Sequence, residues 1–224
     1  MAQTVGFIGG TGPEGKGLAA RLAKAGLAVF IGSRAAERGQ QAAQEVAAAL
    51  RQAQDAAAGG SVHGGTNADA VRSGEVIIVT TPFAALPETL TALEPAIGDR
   101  TVVSTVVPLA FTGGRPTMLP TEAGSAAADT QLYLPRARVV GAFQNLSAQK
   151  LTDLDHDLDG DVIVCSDHPA ALREVMELVA LIPGIRGVNG GPLANSHHVE
   201  GITALLVSIN RIYRAETHVR ILGI

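Results

Sequence analysis

Tryptophan is absent, tyrosine occurs twice, lysine three times and cysteine once in a chain of 224 residues. With Cys165 alone, no internal disulfide framework can form. Charged residues make up 17% and the net charge is -4, so there is no basic surplus to neutralise a run of phosphates, and nucleic acid is not an expected partner. Long hydrophobic runs are missing as well: Ile202 to Ile209 is too short to cross a bilayer and is interrupted by Thr203 and Ser208. The opening MAQTVGFIGG carries neither a charged n-region nor an apolar signal core, which makes a cytoplasmic location the default expectation. What is plentiful is small and aliphatic. Hydrophobic residues reach 46%, enough to bury a substantial core in one large domain or in a medium and a small one.

Short runs rich in valine and isoleucine (Val5 to Ile8, Val29 to Ile31, Val76 to Thr80, Val102 to Val107, Arg138 to Phe143) alternate with alanine-rich stretches of helical spacing such as Leu18 to Ala25 and Ala35 to Ala58. Strands apolar on both faces and joined through helices predict an α/β fold, a Rossmann-type doubly wound parallel sheet covered on each side. No hairpin signal occurs in the first 110 residues. Gly26 is placed to end the first helix, Asn67 to cap a short one, and Pro82 to follow a strand end. After Val107-Pro108 the stretch LAFTGGRPTMLPTEAGSAAADT is loop-rich. The chain is therefore divided near residue 140, into a nucleotide-binding domain of residues 1-140 and a smaller C-terminal α/β unit of residues 141-224.

The strongest chemical signal lies at the first strand-to-helix corner. Gly10-Thr11-Gly12-Pro13-Glu14-Gly15 is a G-x-G-x-x-G directly after a strand and opening a helix. Gly10 permits the tight turn, Gly12 lets the backbone approach a pyrophosphate, and Gly15 lets the helix lie close to the sheet, while the helix N-terminus supplies N-H donors. The corner after the second strand then chooses the cofactor. NAD-selective proteins place an acid there for the ribose hydroxyls, whereas this chain has Ser33-Arg34, with Arg38 about one helical turn on. A hydroxyl and two guanidinium groups suit a 2'-phosphate, so NADP(H) is expected over NAD(H).

The stretches GFIGGTGPEGKGLAARLA, GSRAAER, STVVPLA and GPLANSHHVEGITALLVSIN together resemble the NADP-dependent reductases of coenzyme F420, the 8-hydroxy-5-deazaflavin:NADP oxidoreductases, nearly end to end. The resemblance implies reversible hydride transfer between NADP(H) and F420. It places Gly10, Thr11, Gly12, Pro13, Glu14 and Gly15 at the pyrophosphate, Ser33, Arg34 and Arg38 at the 2'-phosphate, and Thr81 and Pro82 beside the cofactor's ribose. Val107, Pro108, Leu146 and the segment Val219 to Leu222 would face the deazaflavin ring. Where the family pattern has a histidine this chain has Gln144, which can donate a hydrogen bond but cannot carry a proton.

No residue is assigned as catalytic. Dehydrogenases of alcohols need a group that moves the hydroxyl proton, and the lysines offer little: Lys16 and Lys24 fall in the loop helix, and Lys150 has no evident partner. Hydride transfer between two stacked rings needs apposition at roughly 3–3.5 Å and little proton work. Two other readings stay open, an NADP-dependent dehydrogenase or reductase of a small metabolite (or a ferric or flavin reductase) and an NADPH-binding protein without turnover.

No metal is expected. Asp155-x-Asp157-x-Asp159-Gly160 imitates a calcium loop, but Ser166 stands where the bidentate glutamate belongs and DVIVC continues as a strand. His197 and His198 are adjacent, without the i, i+4 pairing of a zinc helix. Asn195 reads as the N-cap of the last helix, a suitable end for an anionic part of the deazaflavin tail, and Cys165 as a small core residue. That helix, from about Asn195 to Arg214, is apolar on more than one face, which predicts a homodimer.

Overall fold

The structure, a computed structural model, describes residues 3–53 and 59–224. The end of the helical stretch expected to reach Ala58 lies outside the described residues. In chain order the elements are β1 (Thr4–Ile8), α1 (Pro13–Lys24), β2 (Ala28–Ser33), α2 (Ala36–Gln52), β3 (Val62–Thr66), α3 (Asn67–Ser73), β4 (Val76–Val79), α4 (Leu86–Ile97), β5 (Thr101–Ser104), β6 (Leu109–Thr112), β7 (Arg115–Met118), α5 (Ala126–Tyr133), β8 (Arg138–Gly141), α6 (Ala148–Thr152), β9 (Gly160–Cys165), α7 (Pro169–Ala180), β10 (Ile185–Gly191) and α8 (Ser196–Tyr213).

One eight-stranded sheet runs β10-β9-β8-β5-β4-β1-β2-β3. From β3 to β8 every pair is parallel, which is the 3-2-1-4-5-6 order of a dinucleotide fold with β8 as its sixth strand. β9 then joins antiparallel, Gly141 opposite Cys165, and β10 lies parallel to β9. The boundary expected at residue 140 falls inside β8, and the chain beyond it uses the free edge of that strand to extend the same sheet. The central strands are buried on both faces, as their unbroken VIIV and TVVS patterns require. One face is covered by α1, α2, α6 and α7; α3, α4 and α5 cover the other.

Two polar devices join the front and back of the chain. Arg21 in α1 is only 5% exposed, and its Nε and Nη2 are turned onto main chain. Its Nε donates to Leu151 O at 3.0 Å, and its Nη2 lies 2.7, 2.6 and 3.1 Å from the carbonyl oxygens of Lys150, Asp153 and His156. The buried Glu200 of α8 accepts from the amides of Ala126 and Ala127 at 2.9 and 3.0 Å, capping α5 from another element. The stretch after Val107-Pro108 is not all loop: β6 and β7 form a hairpin closed by Gly113-Gly114, both with positive φ (57° and 75°), the conformation a tight hairpin turn demands.

Candidate functional site

The carboxyl ends of β1, β2 and β4 open onto a cleft of about 310 Å³ lined by Gly9, Thr11, Gly12, Ser33, Arg34, Arg38, Asn67, Thr80, Thr81 and Pro82, with Ala85 and Thr89 at its rim. Gly12 caps α1 in an extended conformation, Pro13 opens the helix, and a Cβ on Gly12 would meet nothing within 4 Å, so the backbone there is bare toward the cleft. Gly15 is fixed by close approach, because its Cβ would stand 2.6 Å from Gly10 Cα. The left-handed residue of the turn is Gly9 (φ 75°), so the tight turn expected at Gly10 is made one residue earlier. Gly10 is constrained by space instead, Phe7 Cβ lying 2.7 Å from where its own Cβ would be. Ser33 is buried at the end of β2, and Arg34 and Arg38 are exposed beside it on the cleft wall.

Asn67 does not cap α3. Thr66 does, sharing a capping box with Asp69, while Asn67 Oδ1 accepts from Gly9 N at 3.1 Å and braces the glycine turn. Asn195 is likewise not a side-chain cap of α8; its Nδ2 donates to Gly190 O at 2.6 Å and ties the helix start to the end of β10. Cys165 is buried at the end of β9, and burial pushes its thiol up, as suits a core residue.

A second groove, of about 240 Å³, opens at the end of β8, lined by Gln144, Leu146 and Ser147, by Thr203, Leu206 and Asn210 of α8, and by Glu216 and Thr217 beyond it. Cleft and groove lie along one edge of the sheet. Four strand steps separate the Ser33 end of β2 from the Gln144 end of β8, roughly 19 Å at the usual strand spacing. The β5 end, with Thr105, Val107 and Pro108, stands between them. Val107 and Pro108 line neither opening, and Ile221 and Leu222 lie on a separate depression against β9 and β10. Among the described residues, Thr81 Oγ1, both amide atoms of Gln144 and Ser196 Oγ are buried without a hydrogen-bond partner. Such groups are costly unless something completes them. Gly9, Asn67, Thr80 and Thr89 escape the sequence motifs, although Asn67 follows β3 at the very place where a nucleotide fold turns into its next helix.

The acidic run keeps to its own neighbourhood. Asp153 pairs with His156 and Asp159 with Arg220, and no three His, Cys, Asp or Glu side chains gather as metal ligands among the described residues. Two carboxyls are perturbed. Burial pushes Glu14, in the first turn of α1, up to about 7, with the Thr105 hydroxyl opposing the shift; Glu200 is likewise pushed up to about 7 by burial, against the two amides it accepts. An acid whose pKa is raised on folding keeps a proton that the unfolded chain has already lost, so its contribution to stability falls between pH 4.5 and about 7. Glu14→Gln removes that loss at one site. In urea unfolding it should match the wild type at pH 5 and be more stable by about 1–2 kcal/mol at pH 8; an equal difference at both pH values would show that the carboxyl is solvated.

The family model described as NADP oxidoreductase, coenzyme F420-dependent, matches residues 4–108. The F420-dependent NADP reductase of Methanocaldococcus jannaschii is 37% identical over 221 residues, covering 97% of each chain, and that of Methanothermobacter marburgensis is 38% identical over 210 residues, covering 92% of each. Among solved structures, one from Arthrobacter sp. FB24, provisionally assigned as an F420-dependent NADP-reductase, superposes with a TM-score of 0.79 at 22% identity over the whole of both chains. Mycobacterium tuberculosis 3-hydroxyisobutyrate dehydrogenase shares the fold with a TM-score of 0.63 at 15% identity, but this chain covers only 62% of it. With a glycine turn, a basic corner and a second groove on one sheet edge, and with relatives of that identity aligned over almost its full length, the chain belongs to the F420-dependent NADP reductase family.

Proposed function

We propose that the protein moves a hydride reversibly between NADP(H) and coenzyme F420, with NADP(H) in the cleft and the deazaflavin in the groove. The observation that carries this reading is the shared edge: a basic corner at one end, a groove of mixed polar and aliphatic lining about four strands away, and the β5 end between them. Both ligands supply the redox chemistry; the chain has to bind, orient and dehydrate them. Ser33, Arg34 and Arg38 hold the 2'-phosphate, and the bare Gly12 backbone with the first turn of α1 takes the pyrophosphate. The orphaned Thr81 hydroxyl, next to Pro82, suits a ribose. Val107 and Pro108 border the ring-to-ring contact, Gln144 offers an amide donor and acceptor to a heterocycle edge, Leu146 packs on its face, and Asn195 at the start of α8 stands toward an anionic tail. NADPH deuterated on one or the other face of the nicotinamide C4 tests direct transfer. One of the two isomers should place its deuterium in reduced F420; exchange of the label into water from both would contradict it.

Residues 141–224 serve in this reading as the half that closes the acceptor side, and the active form is a homodimer. Only Ser196, Val199 and Glu200 of α8 are buried, while Ile212 is 73% exposed, Leu205 59%, and Phe111 of the packed hairpin 62%. An apolar helix face left open to this extent fits a second copy of the chain. Ile212→Glu should halve the mass measured by light scattering; an unchanged mass would place the contact elsewhere. A cytoplasmic setting completes the proposal. It is supported by the single buried Cys165, and no helix among the described residues is long and apolar enough to cross a membrane.

A further inference from the structure

Segment 215–224 is fastened to the sheet edge by a polar lock that the cofactor sites do not use. The carboxylate of Asp161 in β9, 3% exposed, accepts from Nε and Nη2 of Arg186 in β10 at 3.0 and 2.9 Å, and from Ile221 N at 2.7 Å. The Asp161 amide donates to Val219 O at 2.8 Å. Arg186 donates onward to Ile221 O at 2.9 Å and to Ile224 O at 2.8 Å. Upstream, Asn210 Oδ1 accepts from the amide and hydroxyl of Thr217 at 2.8 and 2.6 Å, and Ser147 bonds Glu216. Glu216 and Thr217, which wall the groove at Gln144, form the upstream fastening themselves, and only His218 separates them from the locked stretch. Burial holds the end of the segment little, Leu222 being 84% exposed and Ile224 75%, while residues 216–219 and Ile221 are partly buried. The other charges at the lock are Asp159, paired with Arg220, and His218 beside it; the Arg186 guanidinium holds the Asp161 carboxyl below the usual carboxylate range, so the pair is charged near neutrality.

We propose that Asp161 and Arg186 are positioning residues for the electron acceptor: by locking segment 219–224 they set the wall that Glu216 and Thr217 give to the groove. This rests on the reading of the groove as the deazaflavin site. The lock touches neither the glycine turn nor the basic corner, so its loss falls on one substrate alone. Arg186 stands on an edge strand with its side chain half-exposed, and Arg186→Gln keeps an amide donor toward Asp161, which makes it the replacement that disturbs the sheet least.

The test compares wild type, Arg186→Gln, Arg186→Lys and Asp161→Asn by steady-state kinetics with F420 and NADPH, with amide hydrogen exchange as the second readout. In Arg186→Gln the amides of Asp161, Thr217 and Ile221 should lose protection while the other amides of β9 and β10 keep theirs. The KM for F420 should rise about tenfold, the loss of one charged hydrogen-bonding group, with kcat and the KM for NADPH within about twofold and Arg186→Lys between the two. Freed amides with an unchanged KM for F420 overturn the proposal, and so does a parallel loss of NADPH affinity. A wild type that binds NADPH and does not reduce F420 overturns the deazaflavin reading itself, and the proposal with it.

Discussion

Arg34→Ala is expected to raise the Kd for NADPH by one to two orders of magnitude and to leave the Kd for NADH within about threefold. A charge-assisted hydrogen bond contributes about 1.5–3 kcal/mol, and each 1.4 kcal/mol is tenfold in affinity. Arg34 follows the buried Ser33 directly at the end of β2 and lines the same cleft with it. Arg38 reaches the same wall from the first turn of α2, and Arg38→Ala should lose less, because a longer reach from a helix leaves more side-chain freedom. Both arginines are exposed, so the NADPH preference should also shrink at high salt. Titration of each variant with both cofactors by isothermal calorimetry checks this. Equal losses for NADPH and NADH would detach the corner from the 2'-phosphate.

The second large effect is on stability. Arg21→Leu is expected to destabilise the fold by about 3 kcal/mol, the cost of withdrawing a charged donor from main-chain acceptors that stay behind. At this chain length that lowers Tm by roughly 10 °C. Four carbonyl oxygens, of Lys150, Leu151, Asp153 and His156, lose their donor together, and the other α1 donor to the turn after α6, Lys24, reaches only Leu154 O, at 2.7 Å. Arg21→Lys should recover only part, since an ammonium cannot spread donors over so wide a loop. Calorimetry of the three proteins decides: a Tm for Arg21→Leu within 2 °C of wild type, a shift below about 1 kcal/mol, would mean that apolar packing alone joins α1 to α6.

How much of this stood in the sequence depends on whether the structural cause was local. Valine-isoleucine runs between alanine-rich stretches foretell β1, β2, β4, β5 and β8, because a strand buried on both faces has to be apolar at every position. β3 reads VHGGT and escapes, for a reason that lies outside it: a Cβ on Gly64 would stand 2.1 Å from Gly39 O, so the strand is glycine where α2 rests on it. The Gly113-Gly114 pair is a hairpin signal, but it sits in a stretch whose composition reads as loop. The glycine turn and the Ser33-Arg34 corner are local motifs, and the structure brings both to one cleft. Asn67 joins them through a bond to a backbone amide 58 positions away, and Arg21 meets carbonyls some 130 positions on; no residue type marks such partners in advance. The extension of the sheet past β8 is hidden for the same reason, since it rests on a pairing between Gly141 and Cys165.

The acceptor is identified by the absorbance of oxidised F420 mixed with the purified protein and NADPH, with FMN, FAD and NADH in parallel. Rapid bleaching of the deazaflavin band is expected with NADPH, little with NADH, and little reduction of either flavin. Tight NADPH binding without bleaching would contradict F420 as the acceptor, leaving the cleft as described and assigning the groove at Gln144 to a different substrate.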